Sequence, residues 1–448
     1  MLLAGVVLVS AAVIALLAGG GGQQQPRRLA PGRGATDRTA DPLAYDDTRR
    51  KDFEARAAAG LAHVLYAKSP GGAVATAQRV ARLEPLIADV ARRAHQDAGT
   101  LEAIVLLESA GRPDARASND LRSAAGLTQI LAQTATGLLG LHVDVARSER
   151  LTRRIDRGGP AGRVRRLEAQ RRRIDERFDP RKALEATTRY LDFARRRLGR
   201  DDLAVESYHM GVGNLQRALG AYGDTGIPYP QLFFDSTPLR HAPAWRILAA
   251  LGDDSATYYW RILAAKAIMS VFRDDPAKLA RQAQLQAGPS SEHVLRPPDA
   301  TPRFADAAAL RTEQLAVLEG AALRPSTQLA AASAGHRALR PDAVKLLRYL
   351  ATGVREVSGT APLTVTAATR SVADETAAGA GATGVEALPS AHTTGYAFDL
   401  SRRYRTPAQA QALQFWLDRL TALDLIAWVR EPDVIHVTVG PRAKTLPG

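Results

Sequence analysis

From residue 52 to about residue 280, apolar side chains recur every three to four positions, the period of helices that bury one stripe. VATAQRVARLEPLIADVARRA, ALEATTRYLDFARRRLG and TYYWRILAAKAIMSVF show it most clearly. After residue 340 the period changes. LTVTAAT, YAFDL and IHVTV read as strands, and helices are expected at 341–356 and 406–423. The pattern predicts a mainly α domain at 52–280 and a small α+β domain at 339–448. Residues 21–51, rich in Gly, Gln, Pro, Arg and Asp, read as a disordered linker. Residues 281–338 mix Pro, Ser, Gln and Ala and read as a second linker that holds one helix.

Residues 1–20 contain an unbroken apolar run at 2–18, roughly 25 Å long as a helix, which reads as a signal peptide or an anchor in the inner membrane. No Lys or Arg precedes this run, while Arg27 and Arg28 follow it. That bias argues against placing the rest of the chain outside, and only the substrate argument below favours export.

With 448 residues the chain is too long for one ordinary core and fits two domains with linkers. Its formal charge of +14 comes from arginine, since only seven lysines are present. Such an excess suits an anionic partner. Nucleic acid is not expected, because no recognition motif is present and 5% aromatic content offers little surface for base stacking. The absence of cysteine excludes a disulfide framework, a thiolate zinc site and a lipid-modified cysteine anchor. The basic, charge-dense segment 142–178, broken by Gly-Gly-Pro, reads as a solvated helical hairpin; the sharper reading is an arm that holds anionic glycan or lipid.

Candidate chemistry begins at Glu108, which ends the apolar turn LEAIVLLES. A carboxylate there opposes the helix dipole, and apolar neighbours would also raise its pKa. A carboxyl kept protonated near neutrality is what cleavage of a glycosidic bond requires. Asp114 and Asp120, on the loop that follows, read as turn residues. The run ESAGRPDARASNDLRSAAGLTQILAQTATGLLG, followed by DPRKALEATTRYL and AVESYHMGVGNLQRA, resembles the ordered motifs of lysozyme-like lytic transglycosylases over about 85–270, with 142–178 as an insertion. That resemblance implies a mainly helical lysozyme-like fold of the α+β class with no cofactor. It implies Glu108 as sole acid/base, with Ser109 and Gln129 lining the groove and Tyr208 bonding or orienting Glu108. Thr128 stands where the family usually has Met, and His209 where it usually has Asn, which places a titratable group near the acid.

The second constellation lies in the strands. Side chains alternate, so Asp399 of YAFDL shares a face with Ala397, and His436 of IHVTV shares a face with Thr438. With His392 these residues form a two-imidazole, one-carboxylate set with room for a fourth ligand, which suits catalytic zinc. SAHTTGYAFD resembles the Ser-x-His-x-x-Gly-x-Ala-x-Asp motif of the D-Ala-D-Ala metallopeptidases, over about 340–445. The resemblance implies zinc on His392, Asp399 and His436. It also implies Asp433 as general base, with Glu431 as the alternative, and Arg370 as oxyanion stabiliser.

Both resemblances point to bacterial peptidoglycan. The expectation is a cell-envelope enzyme, periplasmic or extracytoplasmic, membrane-anchored or secreted. One domain would cleave the MurNAc–GlcNAc bond with formation of a 1,6-anhydro ring, and the other would trim or bind the peptide stems. The rival readings are a non-enzymatic wall-binding scaffold and a hydrolytic muramidase or chitinase.

Overall fold

The computed structural model describes residues 41, 43–252, 254–312, 315–318, 320–377 and 390–446. The apolar run at 2–18 lies outside them; among the described residues no helix is long and apolar enough to cross a membrane. The fold is mostly helical with small sheets. It forms two compact units: among the described residues, one spans 64–283 and the other combines 41–63 with 284–446.

The first unit is built around helix Ala98–Ser109, whose Leu101, Ala103, Ile104 and Val105 are wholly buried. Asp97 caps its start, accepting from the amides of Gly99 and Thr100. The segment 74–94, quoted above for its helical spacing, falls in two helices, Ala73–Ala81 and Glu84–Ala94. Pro85, which lacks an amide proton, stands at the first turn of the second, where no intrahelical bond is lost. Helix Pro180–Leu198 starts on the Asp179 cap and stops at Gly199 in the left-handed region. Helix Tyr258–Asp274 packs against the Glu108 helix.

Residues 142–178 do form a helical hairpin, Val145–Asp156 and Ala161–Ile174. Leu151, Thr152, Leu167 and Arg171 are buried on its inner side. Its base is tied down by Arg177, fully buried, whose guanidinium bonds both oxygens of Asp175 at 2.9 Å. The same group donates to the carbonyls of Leu121, Ser123 and Ile130, so every guanidinium proton has an acceptor. This clamp holds the loop that carries Gly126-Leu127-Thr128-Gln129. Gly126 sits at φ +85°, and a Cβ there would lie 1.8 Å from the Arg177 carbonyl oxygen.

The second unit contains a two-stranded ladder of β1 (Ala316–Val317) and β3 (Ala338–Leu339), and a five-stranded sheet. The sheet strands are β2 (Leu323–Pro325), β4 (Leu363–Ala367), β5 (Ala397–Ser401), β6 (Ile426–Arg430) and β7 (Val434–Val439), in the order β2-β4-β5-β7-β6. β2 and β4 are parallel, the other pairs antiparallel. Phe398, Leu400, Val437 and Val439 are buried on one face of the sheet. Helices Pro341–Ser358 and Pro407–Ala422 pack on each other, with Trp416 against Gly353.

Two expected boundaries change. The linker was expected to run to residue 51 and the first domain to start at 52. Instead Leu43 is buried, and helix Arg50–Gly60 packs in the second unit against Pro407–Ala422. Phe53 and Ala57, one turn apart, form its buried stripe, and a Cβ on Gly60 would lie 1.8 Å from the Thr421 carbonyl oxygen. Residues 284–338, expected as linker, also belong to the second unit: Leu295 and Phe304 are buried, and β2 extends the sheet. These elements are too short to show a period, and their partners lie far away in the chain.

Candidate functional site

In the first unit Glu108 lies near the C-terminal end of its helix, partly buried. Tyr258, at the start of helix Tyr258–Asp274, donates its phenolic proton to Glu108 Oε1 at 2.8 Å. Burial pushes the Glu108 carboxyl up to about 7; the Tyr258 bond and the Arg261 charge oppose this, and the Asp254 charge adds to it. Asp254 is ion-paired with Arg261. The start of the Tyr258 helix is itself fixed by buried Glu206, which accepts from the Tyr259 amide at 2.8 Å.

The other expected residues of this site surround the pair less directly. Tyr208 does not bond Glu108: it donates to the Thr128 carbonyl at 2.8 Å and stacks on Tyr258 with ring centres 6.1 Å apart. His209 also stacks on Tyr258, at 5.4 Å, and its Nδ1 lies 2.7 Å from Ser255 Oγ. It thus packs on the tyrosine that bonds the acid. Ser109 faces inward and donates to the Val105 carbonyl. The partly buried Gln129, at φ +49°, donates to the carbonyls of Gly126 and Ala115. Thr128 is wholly buried. Tyr258, Arg261 and Asp254 were missed by sequence reasoning. Their only signal is an aromatic Tyr-Tyr-Trp start to a helix that reads as ordinary core.

In the second unit β5 and β7 pair with Asp399 directly opposite His436 and Ala397 opposite Thr438. The alternation expected from YAFDL and IHVTV is thus realised on one face. His392 stands on the turn Ala391–Thr394, just before β5. Its Nε2 lies 3.1 Å from Asp399 Oδ1, and His436 Nδ1 lies 2.9 Å from the same oxygen. One donor atom from each of the three residues falls within 4.8 Å of the others, so the buried group could hold a metal ion. The donor set fits: two imidazole nitrogens and a carboxylate oxygen suit a small divalent cation. Burial works against the Asp399 charge, but the bonds and charges of His392 and His436 outweigh it and hold the carboxyl well below its usual range. Burial lowers His436, yet Asp399 and Glu292 together lift it to about 9.

Arg370 is brought to the edge of this cluster, 3.8 Å from Asp399 Oδ2, while it pairs with Glu375 at 3.0 Å. Asp433 and Glu431 are not brought in. Both are exposed on the turn between β6 and β7, and Asp433 stands an odd number of residues from His436 where side chains alternate between faces. The carboxylate on the other nitrogen of His436 is Glu292, with Oε2 3.2 Å from Nε2. It comes from helix Glu292–Leu295, in the segment expected to be linker, and Glu292-His293 was its only sequence signal.

No protein-family model matches the chain, and a search of curated proteins finds no match.

Proposed function

We propose that this chain remodels peptidoglycan, with Glu108 as the single acid/base of a lytic transglycosylase. The observation that carries the reading is Glu108 itself: a carboxyl lifted to about 7 and held by Tyr258, within a chain segment that resembles that family. Protonated Glu108 donates to the glycosidic oxygen as the MurNAc C1–O bond breaks, and the GlcNAc leaves with its 4-hydroxyl restored. The MurNAc 6-oxygen then bonds to C1, its proton returns to Glu108, and a 1,6-anhydro ring closes without water. The second unit binds the peptide stems, with zinc on His392, Asp399 and His436 and with Arg370 beside them. When bound there, zinc would polarise a stem carbonyl. Asp433, the expected base, is exposed on the turn before β7, so stem binding is preferred here over stem cutting. One chain carrying both sites raises the local concentration of the second at a strand held by the first. The reading places the protein in the cell envelope, with the exposed arginines of the 142–178 hairpin available to an anionic polymer.

Digestion of purified peptidoglycan by the full-length chain, with and without chelator, tests this by mass analysis of the released muropeptides. Anhydro products that fall by about 100- to 10,000-fold in Glu108→Gln support the transglycosylase. Stems shortened only without chelator would show that the second unit cuts. An intact polymer that still binds the folded protein would favour a scaffold.

A second reading is hydrolysis, which takes a second carboxylate; the candidate is Asp254, ion-paired with Arg261. Reducing-end products that disappear in Asp254→Asn would establish it. Anhydro products that persist in that variant would exclude it.

A further inference from the structure

We infer that Glu292 is a positioning residue of the zinc centre, fixing through its bond to His436 Nε2 which imidazole nitrogen faces the ion. The inference rests on the zinc reading above and concerns a residue outside the motif on which that reading stands.

His392 Nδ1 lies 2.6 Å from the Ala368 carbonyl, which only accepts, so Nδ1 carries a proton and Nε2, 3.1 Å from Asp399 Oδ1, is the nitrogen that a metal would take. His436 is arranged the other way round. Its Nδ1 faces Asp399 at 2.9 Å, and its Nε2 faces Glu292 Oε2 at 3.2 Å. Both nitrogens thus face carboxylates, which only accept; Nδ1 is the one on the His392–Asp399 side, so a metal would displace its proton while Nε2 keeps its own toward Glu292. With a metal bound, the two histidines would thus hold opposite tautomers, each set by a different acceptor outside the cluster. Thr438 secures the second acceptor by donating to Glu292 Oε2 at 3.0 Å, and the other Glu292 oxygen lies 3.6 Å from His293 Nε2. Thr438 shares the strand face of His436, two residues on, so β7 supplies both the ligand and the group that locks its partner. A hydrogen-bonded carboxylate on the outer nitrogen orients an imidazole and strengthens it as a ligand. Glu292, in the segment that reads as linker, accordingly belongs to the proposed metal centre as well as to the fold.

Zinc affinity of the full-length chain, measured by competition with a chromophoric chelator, tests the role. Wild type should take one equivalent. Glu292→Ala should bind about 10- to 100-fold more weakly, and Glu292→Gln, whose amide oxygen can still accept, should recover part of the loss. The cobalt(II) absorption spectrum should keep its shape in Glu292→Gln, and nitrogen-15 NMR of the zinc-bound chain should show His436 protonated on Nε2 alone. Equal affinity in wild type and Glu292→Ala overturns the inference and leaves the zinc reading intact. A cobalt spectrum of altered coordination number overturns it too, because Glu292 would then be a direct ligand. If wild type itself binds no zinc, both fall. Should Glu292→Ala fail to fold, Thr438→Val decides: weaker zinc binding supports the role and unchanged affinity overturns it.

Discussion

Tyr258 and Glu108, 150 residues apart in the chain, are joined by a 2.8 Å hydrogen bond from the phenol to Oε1. This bond favours the ionised carboxyl while burial favours the neutral one, and burial prevails, leaving the group at about 7. An acid catalyst must be protonated, so anhydro-muropeptide release should fall as pH rises through about 7. Tyr258→Phe removes a bond that stabilises the carboxylate, so the falling limb should move to higher pH. A pH–rate profile checks both. A limb unmoved by the substitution would mean that Glu108 is not the group being titrated.

The same shift makes a stability prediction of definite sign. Glu108 titrates near its ordinary 4.5 when unfolded and at about 7 when folded. As pH rises between these values the unfolded chain ionises first, so stability is lost across that window. Glu108→Gln removes the penalty. The variant should melt above wild type at pH 8, and the difference should close below about pH 4.5. Calorimetry at three pH values measures it, and coincident curves throughout would refute it.

The clamp at the base of the hairpin should be costly to break. Asp175 and Arg177 are both fully buried, so Asp175→Ala strands a charge and should cost about 3–5 kcal/mol. Gly126→Ala drives a Cβ into the Arg177 backbone at an unfavourable φ and should cost more than about 1 kcal/mol. Urea unfolding followed through the first unit would report both losses. A neutral Gly126→Ala would show that the loop and Arg177 do not approach as described.

Gly60 tests the reassigned boundary. Gly60→Ala places a methyl against the Thr421 carbonyl, so it should destabilise the second unit and leave the first unchanged. Limited proteolysis with mass mapping distinguishes the two: cleavage should rise within 284–446 and not within 64–283.

Much of this was legible in the chain. Apolar residues at helical spacing set the long helices, because a stripe that must be buried shows in the sequence wherever the element is long enough to repeat it. The alternation in YAFDL and IHVTV put Asp399 and His436 on the face opposite Phe398 and Val437, since a strand has only two faces. His392 and Glu108 were marked by local motifs. Three things were decided only by the tertiary structure. Tyr258 rather than Tyr208 reaches Glu108, because helix packing selects one of several tyrosines. Helix Arg50–Gly60 sits with the C-terminal residues, because its short stripe matches a surface more than 300 residues away in sequence. Glu292 rather than Asp433 meets His436, because a hydrogen bond depends on where two groups arrive in space, and neither composition nor spacing records a meeting across 144 residues.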